Sequence, residues 1–248
     1  MALRSIKADL HVHTCLSPCS GLDMSPREIV SAALQKGLDL IGICDHNSAE
    51  NALAVKRAGR RNGLMVLAGM EVASSEEAHI LAFFDDDDGL LDFQKFIYRH
   101  LDGRNDAHAF GLQVIADDED GVTGFCDRLL IGATSLPAEE IVSAARAVQG
   151  ESLVIAAHVD RESFSIIGQL GFIPPNLKLD AVEISPRMTA TEARDRFPDC
   201  RNYPIVTGSD AHSPRDIGQR YTSFIVEDGN IAEIKKALTN SNGRKAVC

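Results

Sequence analysis

The sequence predicts an α/β fold, either one large α/β domain or a barrel carrying an insertion, and three observations predict it. Short, near-continuous apolar runs alternate with helical patterns, and strands that read apolar on both faces belong to sheets covered on both sides. A length of 248 residues, 44% hydrophobic and 25% charged, suits one such unit and provides a substantial core. Residues capable of chemistry follow directly after the apolar runs, at the strand ends where barrels of this kind place their sites.

The first strand, residues 6–14, closes on Asp9-Leu-His-Val-His-Thr14. Residues i and i+2 of a strand share a face, so His11 and His13 present two imidazoles side by side. After a loop with Pro18 and Gly21, Ser25-Pro-Arg-Glu28 reads as a capping box that opens a helix ending at Gly37. A second strand, 38–44, ends in Asp45-His46-Asn47, and a helix over 48–62 stops at Gly63. A third strand from 64 delivers Glu71, and a fourth, 79–84, carries His79 at its beginning.

The alternation then pauses. Four acids at 85–88 read as a solvated helix entry. Leu90, Phe93, Ile97 and Leu101 fall at helical spacing, and 117–121 reads as a hairpin turn between 110–116 and 122–130. Residues 85–136 are therefore expected to form an insertion, a small cap over the barrel mouth, with 1–84 and 137–248 forming the barrel. His100 and His108 lie on no strand end and receive no role. Regularity returns with a helix from Pro137 to Gly150, a strand ending in His158, and a strand at 179–182 leading to Glu183. Thr189 and Glu192 form a second capping-box signal, a strand at 203–207 runs into Gly208-Ser-Asp-Ala-His212, and a strand at 222–226 precedes a helix capped by Asn230.

Composition excludes several classes of function. A formal net charge of −11 argues against a general nucleic-acid or anionic-membrane surface. No run approaches the roughly 20 apolar residues of a membrane span, and the N-terminus leads straight into a strand pattern, so a cytoplasmic protein is expected. Cysteines at 15, 19, 44, 126, 200 and 248 do not form a disulfide framework. The oligomeric state is left open.

His11, His13, His46, Glu71, His158, Glu183, Asp210 and His212 all follow apolar strands, and in a (β/α) barrel those ends converge on one face. Imidazole and carboxylate donors without a thiolate quartet suit Zn, Mn or Fe. The donors exceed what one ion needs, so two to three divalent ions are expected, with a carboxylate such as Glu71 bridging. Clustered divalent ions activate water and neutralise phosphate oxygens, which favours hydrolysis of a small phosphorylated substrate. A Gly-x-Ser-x-Gly elbow, a Walker A loop and a dinucleotide fingerprint are all absent from the sequence.

Asp9-Leu-His-Val-His-Thr14, Cys44-Asp-His-Asn47, Gly69-Met-Glu-Val72, Ala157-His158 and Gly208-Ser-Asp-Ala-His212 together resemble the motifs of the PHP (polymerase and histidinol phosphatase) family. The resemblance implies a distorted (β/α)7, TIM-like barrel with a trinuclear metal centre. It assigns His11, His13, Glu71 and Asp210 to one ion, Glu71, His79 and His158 to a second, and His46 with His212 to a third. At the position where family members often supply a further ligand to the third ion, this chain has Cys19, which either binds as a thiolate or leaves that site weak. Glu71, Asp210 and His212 are the expected catalytic residues, while Asp45 and Glu183 are expected to orient ligands from behind. Arg161 and Arg187, just past two strand ends, are candidates for phosphate contact. Two other readings stand beside the phosphoesterase: another metallohydrolase of the amidohydrolase kind, and a non-catalytic PHP module.

Overall fold

The computed structural model describes residues 2–248. Its strands are β1 (Arg4–Val12), β2 (Leu40–Ile43), β3 (Met65–Ala73), β4 (His79–Phe84), β5 (Val114–Ala116), β6 (Val122–Phe125), β7 (Ser152–Ala156), β8 (Ala181–Ile184), β9 (Ile205–Thr207), β10 (Thr222–Val226) and β11 (Lys245–Val247). The helices are α1 (Pro26–Gln35), α2 (Ala52–Asn62), α3 (Asp87–Arg99), α4 (Ala107–Phe110), α5 (Ala138–Ala147), α6 (Ile166–Leu170), α7 (Ala190–Arg196) and α8 (Ile231–Leu238).

Nine strands pair in the order β11-β10-β1-β2-β3-β4-β7-β8-β9. The segment after β9 returns to β1 through a parallel bridge between Val12 and Ala211, where the His13 N–H donates to the Ala211 carbonyl at 3.1 Å. Seven strands, β1 to β4 and β7 to β9, thus surround one interior, as the (β/α)7 expectation requires. The distortion is β4, which runs antiparallel to both neighbours.

Period-two alternation sorts the apolar side chains into two clusters. Leu40, Leu67, Leu81, Phe83, Leu153, Ile155 and Val206 point into the barrel with Ile6, Ala8 and Leu10. Ile41, Ile43, Met70, Ile80, Val154 and Val182 point outward against the helices. Ile231, Ile234, Ala237 and Leu238 of α8 join the inner cluster and close the end of the barrel opposite the strand carboxyl ends. Inside, Gly42 and Gly69 make room for the Phe83 ring. A Cβ on Gly69 would collide with the Ala82 carbonyl and with that ring. We expect Gly69→Ala to cost about 1–3 kcal/mol through overpacking, read as a lower denaturant midpoint at unchanged slope. A midpoint equal to that of the parent protein would show that β3 and β4 can part without loss.

One local expectation is corrected. Ser25 makes no side-chain cap bond, and Pro26 in the first turn starts α1 instead. The reciprocal box forms at Thr189 and Glu192, and Asn230 caps α8. Leu90, Phe93 and Ile97 of α3 lie in the outer core against β3 and β4. Residues 101–136 pack on the loops that follow β1 and β2, with Leu101, Cys126 and Leu130 against Leu16 and with Asn47 Nδ2 donating to the carbonyls of Leu130 and Gly132. The β5–β6 hairpin turn reaches the flank of α1 and α2, where Asp118 pairs with Arg57 and Arg61 and the Arg27 N–H donates to Asp120. Among the described residues, no helix is long and apolar enough to cross a membrane.

Candidate metal centre

Glu71 is the hub of the barrel mouth. It is 1% exposed, and the backbone following β2 holds it: the Glu71 N–H donates to the Asp45 carbonyl at 3.0 Å and the Asn47 N–H to the Glu71 carbonyl at 2.8 Å. Its Oε1 lies 2.8 Å from His79 Nδ1, 3.2 Å from His158 Nε2 and 3.3 Å from His11 Nε2. Its Oε2 lies 3.0 Å from His46 Nδ1 and 3.5 Å from His13 Nε2. Asp210 Oδ1 is 3.2 Å from both His11 Nε2 and His13 Nε2. The His212 ring stacks on His13 with centroids 4.4 Å apart, and its Nδ1–H donates to the Asp210 carbonyl at 2.8 Å.

β1 brings its two histidines inward by changing phase. Ile6, Ala8 and Leu10 point into the barrel, so unbroken alternation would turn His11 and His13 outward. The register with β2 shifts between Asp9 and Val12. That extra residue sends Val12 to the outer core and both imidazoles into the mouth.

Groups behind the imidazoles fix which nitrogen faces the centre. His11 Nδ1–H donates to Glu183 Oε2 at 2.8 Å, and the same oxygen accepts the His158 N–H at 3.1 Å. His13 Nδ1–H donates to Ser17 Oγ at 3.0 Å, because Ser17 gives its own proton to Asp45 Oδ1 at 2.7 Å. Asp45 also accepts from Thr14 N–H and its hydroxyl. The Nε2 lone pairs of His11 and His13 therefore face Glu71 and Asp210. Gly208 is part of this support, since a Cβ there would lie 2.6 Å from Glu183 Oε1 and 2.9 Å from His11 Cβ.

The electrostatics call for positive charge between these groups. Burial opposes ionisation of Glu71 and Asp210, but the surrounding histidines hold both carboxyls well below the usual range. Burial likewise opposes a charge on His46, yet Glu71 raises that imidazole to about 10; burial and the nearby His212 push His13 down to about 3. His11 Nε2 and Glu71 Oε2 are buried and have no hydrogen-bond partner among the described residues. Such orphaned groups cost about 1–3 kcal/mol each when left unsatisfied. A divalent cation satisfies both, and the imidazole and carboxylate donors fit Zn, Mn or Fe.

Every residue assigned from the sequence to the metal centre comes together here, His79 and Cys19 included. The ligand atoms of His13, Cys19, His46 and His212 lie within 4.8 Å of one another, as do those of His11, His158 and Asp210, of His11, His13 and Glu71, and of His46, Glu71 and His79. Burial works against a charge on Cys19, but hydrogen bonds with His212 and His46 outweigh it and lower the thiol to about 7. Arg161 pairs with Asp210 Oδ2, and Arg161 and Arg187 line a cleft of about 860 Å³ that opens beside Asp210.

The sequence reading missed four residues. Asp9 accepts from Ser209 N–H and hydroxyl and from Gly218 N–H, tying the Asp210 loop to β1. Burial pushes Asp9 up to about 6 despite these bonds. Ser17 links Asp45 to His13, and Arg196 and Phe164 line the cleft. Asn47, His158, Phe164 and Asp210 all have positive φ, 50°, 28°, 59° and 54°. Backbone strain of this kind gathers where a site over-determines its geometry.

Fold and side chains together define a (β/α)-barrel protein with a candidate metal centre at its mouth. The chain carries a PHP domain, matched over residues 9–122, and a PHP-associated region, matched over residues 192–242. The uncharacterized protein YqxK of Bacillus subtilis (strain 168) is 23% identical, over 99% of this chain and 65% of YqxK. The uncharacterized protein MJ1587 of Methanocaldococcus jannaschii is 30% identical over 90 residues, 33% of this chain and 53% of that protein. Among solved structures, the lesion-specific endonuclease PfuEndoQ of Pyrococcus furiosus superposes with a TM-score of 0.68 at 20% identity, over 98% of this chain and 58% of that one. A complex of Endonuclease Q with a 27-mer duplex substrate, with an abasic lesion at the active site, gives 0.67 at the same identity and coverage. This chain therefore spans 53% to 65% of the length of these relatives, and at 20% identity the structural likeness is one of fold.

Proposed function

We propose that the chain is a metal-dependent phosphoesterase, a phosphatase or phosphodiesterase that hydrolyses a small phosphorylated metabolite or nucleotide at two to three divalent ions. The observation that carries this reading is Glu71, within 3.5 Å of five imidazoles and beside a cleft lined by guanidinium groups. His11, His13, Glu71 and Asp210 would hold one ion, Glu71, His79 and His158 a second, and His46, His212 and Cys19 a third.

Divalent ions in such a cluster lower the pKa of bound water and neutralise phosphate oxygens during in-line displacement. The protein's own groups do the rest. Glu71 supplies the buried negative charge shared between two ion positions. Glu183 and the Asp45–Ser17 pair keep His11 and His13 in the tautomers that present Nε2 lone pairs. Asp210 and His212 lie on the open side, in reach of substrate. Arg161 and Arg187 hold phosphate oxygens while a water oxygen bonds to phosphorus, the P–O ester bond breaks and the leaving oxygen takes up a proton.

The guanidinium-lined cleft favours phosphate over the amide substrates of an amidohydrolase. The net charge of −11 and the acids Glu162 and Asp216 at the cleft favour a small substrate over duplex nucleic acid. The fold likeness to Endonuclease Q supports the second reading, cleavage of DNA. The six unpaired cysteines agree with a reducing, cytoplasmic compartment.

Elemental analysis of gently purified protein should give two to three transition ions per chain, and fewer than one would overturn the reading. The loaded protein should release phosphate or alcohol from phosphoesters such as p-nitrophenyl phosphate and leave amides intact. Cleavage confined to lesion-bearing duplex DNA would favour the second reading.

A further inference from the structure

We propose that Phe164 is a stacking platform for the planar base of a nucleotide, so that the cleft selects nucleoside phosphates over sugar phosphates lacking a base. The inference rests on the phosphoesterase reading and deepens it by naming a substrate class.

Phe164 lies in the loop between β7 and α6, and its side chain is 50% exposed although the residue lines the cleft beside the metal centre. One face of its ring stacks on His79, with centroids 5.2 Å apart and planes at 26°. The remainder of the ring is open. An aromatic serving only the core would be buried, and this one is instead held out on a rigid mount. Its φ is 59°, a left-handed conformation that a phenylalanine adopts only when its surroundings impose it. Its carbonyl accepts the His79 N–H at 3.1 Å, and the next residue, Ser165, donates its hydroxyl to the Arg161 carbonyl at 2.6 Å while accepting the Gly168 N–H at 2.9 Å.

The same short loop therefore presents Arg161, paired with Asp210 at the edge of the metal centre, and an open phenyl face. Arg187 and Arg196 line the same cleft, and among the described residues neither side chain forms a salt bridge. Two of the cleft acids are already engaged, Asp160 accepting from Ser185 N–H and hydroxyl and Asp216 from the Ser213 hydroxyl, while Glu162 adds a negative charge at the cleft. A phosphate set between Asp210 and the guanidinium groups leaves the organic part of its ester within the cleft that Phe164 lines. A base has a π-face to lay against the ring, and a bare sugar phosphate has none.

The test uses two probes that differ only in the base, adenosine 5′-phosphate and ribose 5-phosphate, with the metal-loaded protein. The ratio of their kcat/KM values should favour the nucleotide by about 10- to 100-fold, the range that stacking on one aromatic supplies. In Phe164→Leu the ratio should fall towards one, chiefly through KM, and in Phe164→Trp it should be kept or raised. A parent ratio near one, or an unchanged ratio in Phe164→Leu, overturns the proposal; the second result assigns Phe164 to positioning His79. Failure of the phosphoesterase reading is told apart by a binding readout. The chain has no tryptophan, so Phe164→Trp carries a single fluorophore at the platform. Quenching by the nucleotide and not by ribose 5-phosphate supports stacking even if neither ester is hydrolysed, and no quenching by the nucleotide overturns it.

Discussion

Glu71→Gln should lose at least one metal ion and lower kcat by at least ~100-fold, the range seen when a preorganised electrostatic group is removed. Glutamine keeps the volume of the side chain in a position that is 1% exposed, so packing is preserved and only the charge goes. That charge is the one element common to two of the assigned ion positions. Without it, two cations repel each other with less compensation, and the five imidazoles within 3.5 Å face an amide that cannot balance them. Metal content and turnover are measured on the same preparation, with the thermal midpoint checked for intact folding. Full metal content with near-normal phosphatase turnover would refute the bridging role and remove this site as the reaction centre.

How far the chain could be read in advance is clearest at its exceptions. The strand-end pattern pointed to seven of the assigned histidine and carboxylate donors because parallel strands deliver their carboxyl ends to one face. It missed His79, because β4 runs the other way and puts its first residue at that face. A signal existed: residues 74–78 are too few for a crossover, which needs a dozen or more, so β3 and β4 had to form a hairpin. The resemblance to the PHP motifs supplied His79 where the direction argument did not.

In β1 the spacing correctly paired His11 with His13, but nothing in the pattern marked the bulge that turns both inward after Leu10. The helical spacing of Leu90, Phe93 and Ile97 was legible, yet its burial against β3 and β4 was not, because an amphipathic helix reads alike on a barrel or in an insertion. Arg196 and Phe164 carried no signal at all. An arginine in a last helical turn is ordinary, and a lone aromatic in a serine-rich loop shows its purpose only through its backbone conformation and its neighbours.

Cys19→Ala should empty the third ion position while the other two keep their ions. The thiol stands with His46 and His212, beside His13, in a group whose ligand atoms lie within 4.8 Å of one another, and two imidazoles with one thiolate are donors suited to Zn. Hydrogen bonds with His212 and His46 already bring the thiol down to about 7, so metal binding there displaces a proton that is easily lost. Orienting groups outside the ligand set are worth about 10–100-fold in metal affinity, and a direct ligand is worth at least that much. Metal content should therefore fall by one ion per chain, with no loss of the ion assigned to His11, His13, Glu71 and Asp210 or of the one assigned to Glu71, His79 and His158. Cobalt substitution supplies a readout independent of turnover, because a thiolate bound to Co²⁺ gives a charge-transfer absorption that should vanish in Cys19→Ala. Unchanged metal content and an unchanged cobalt spectrum would mean that Cys19 only packs beside His46 and His212 and that the third position rests on imidazoles alone.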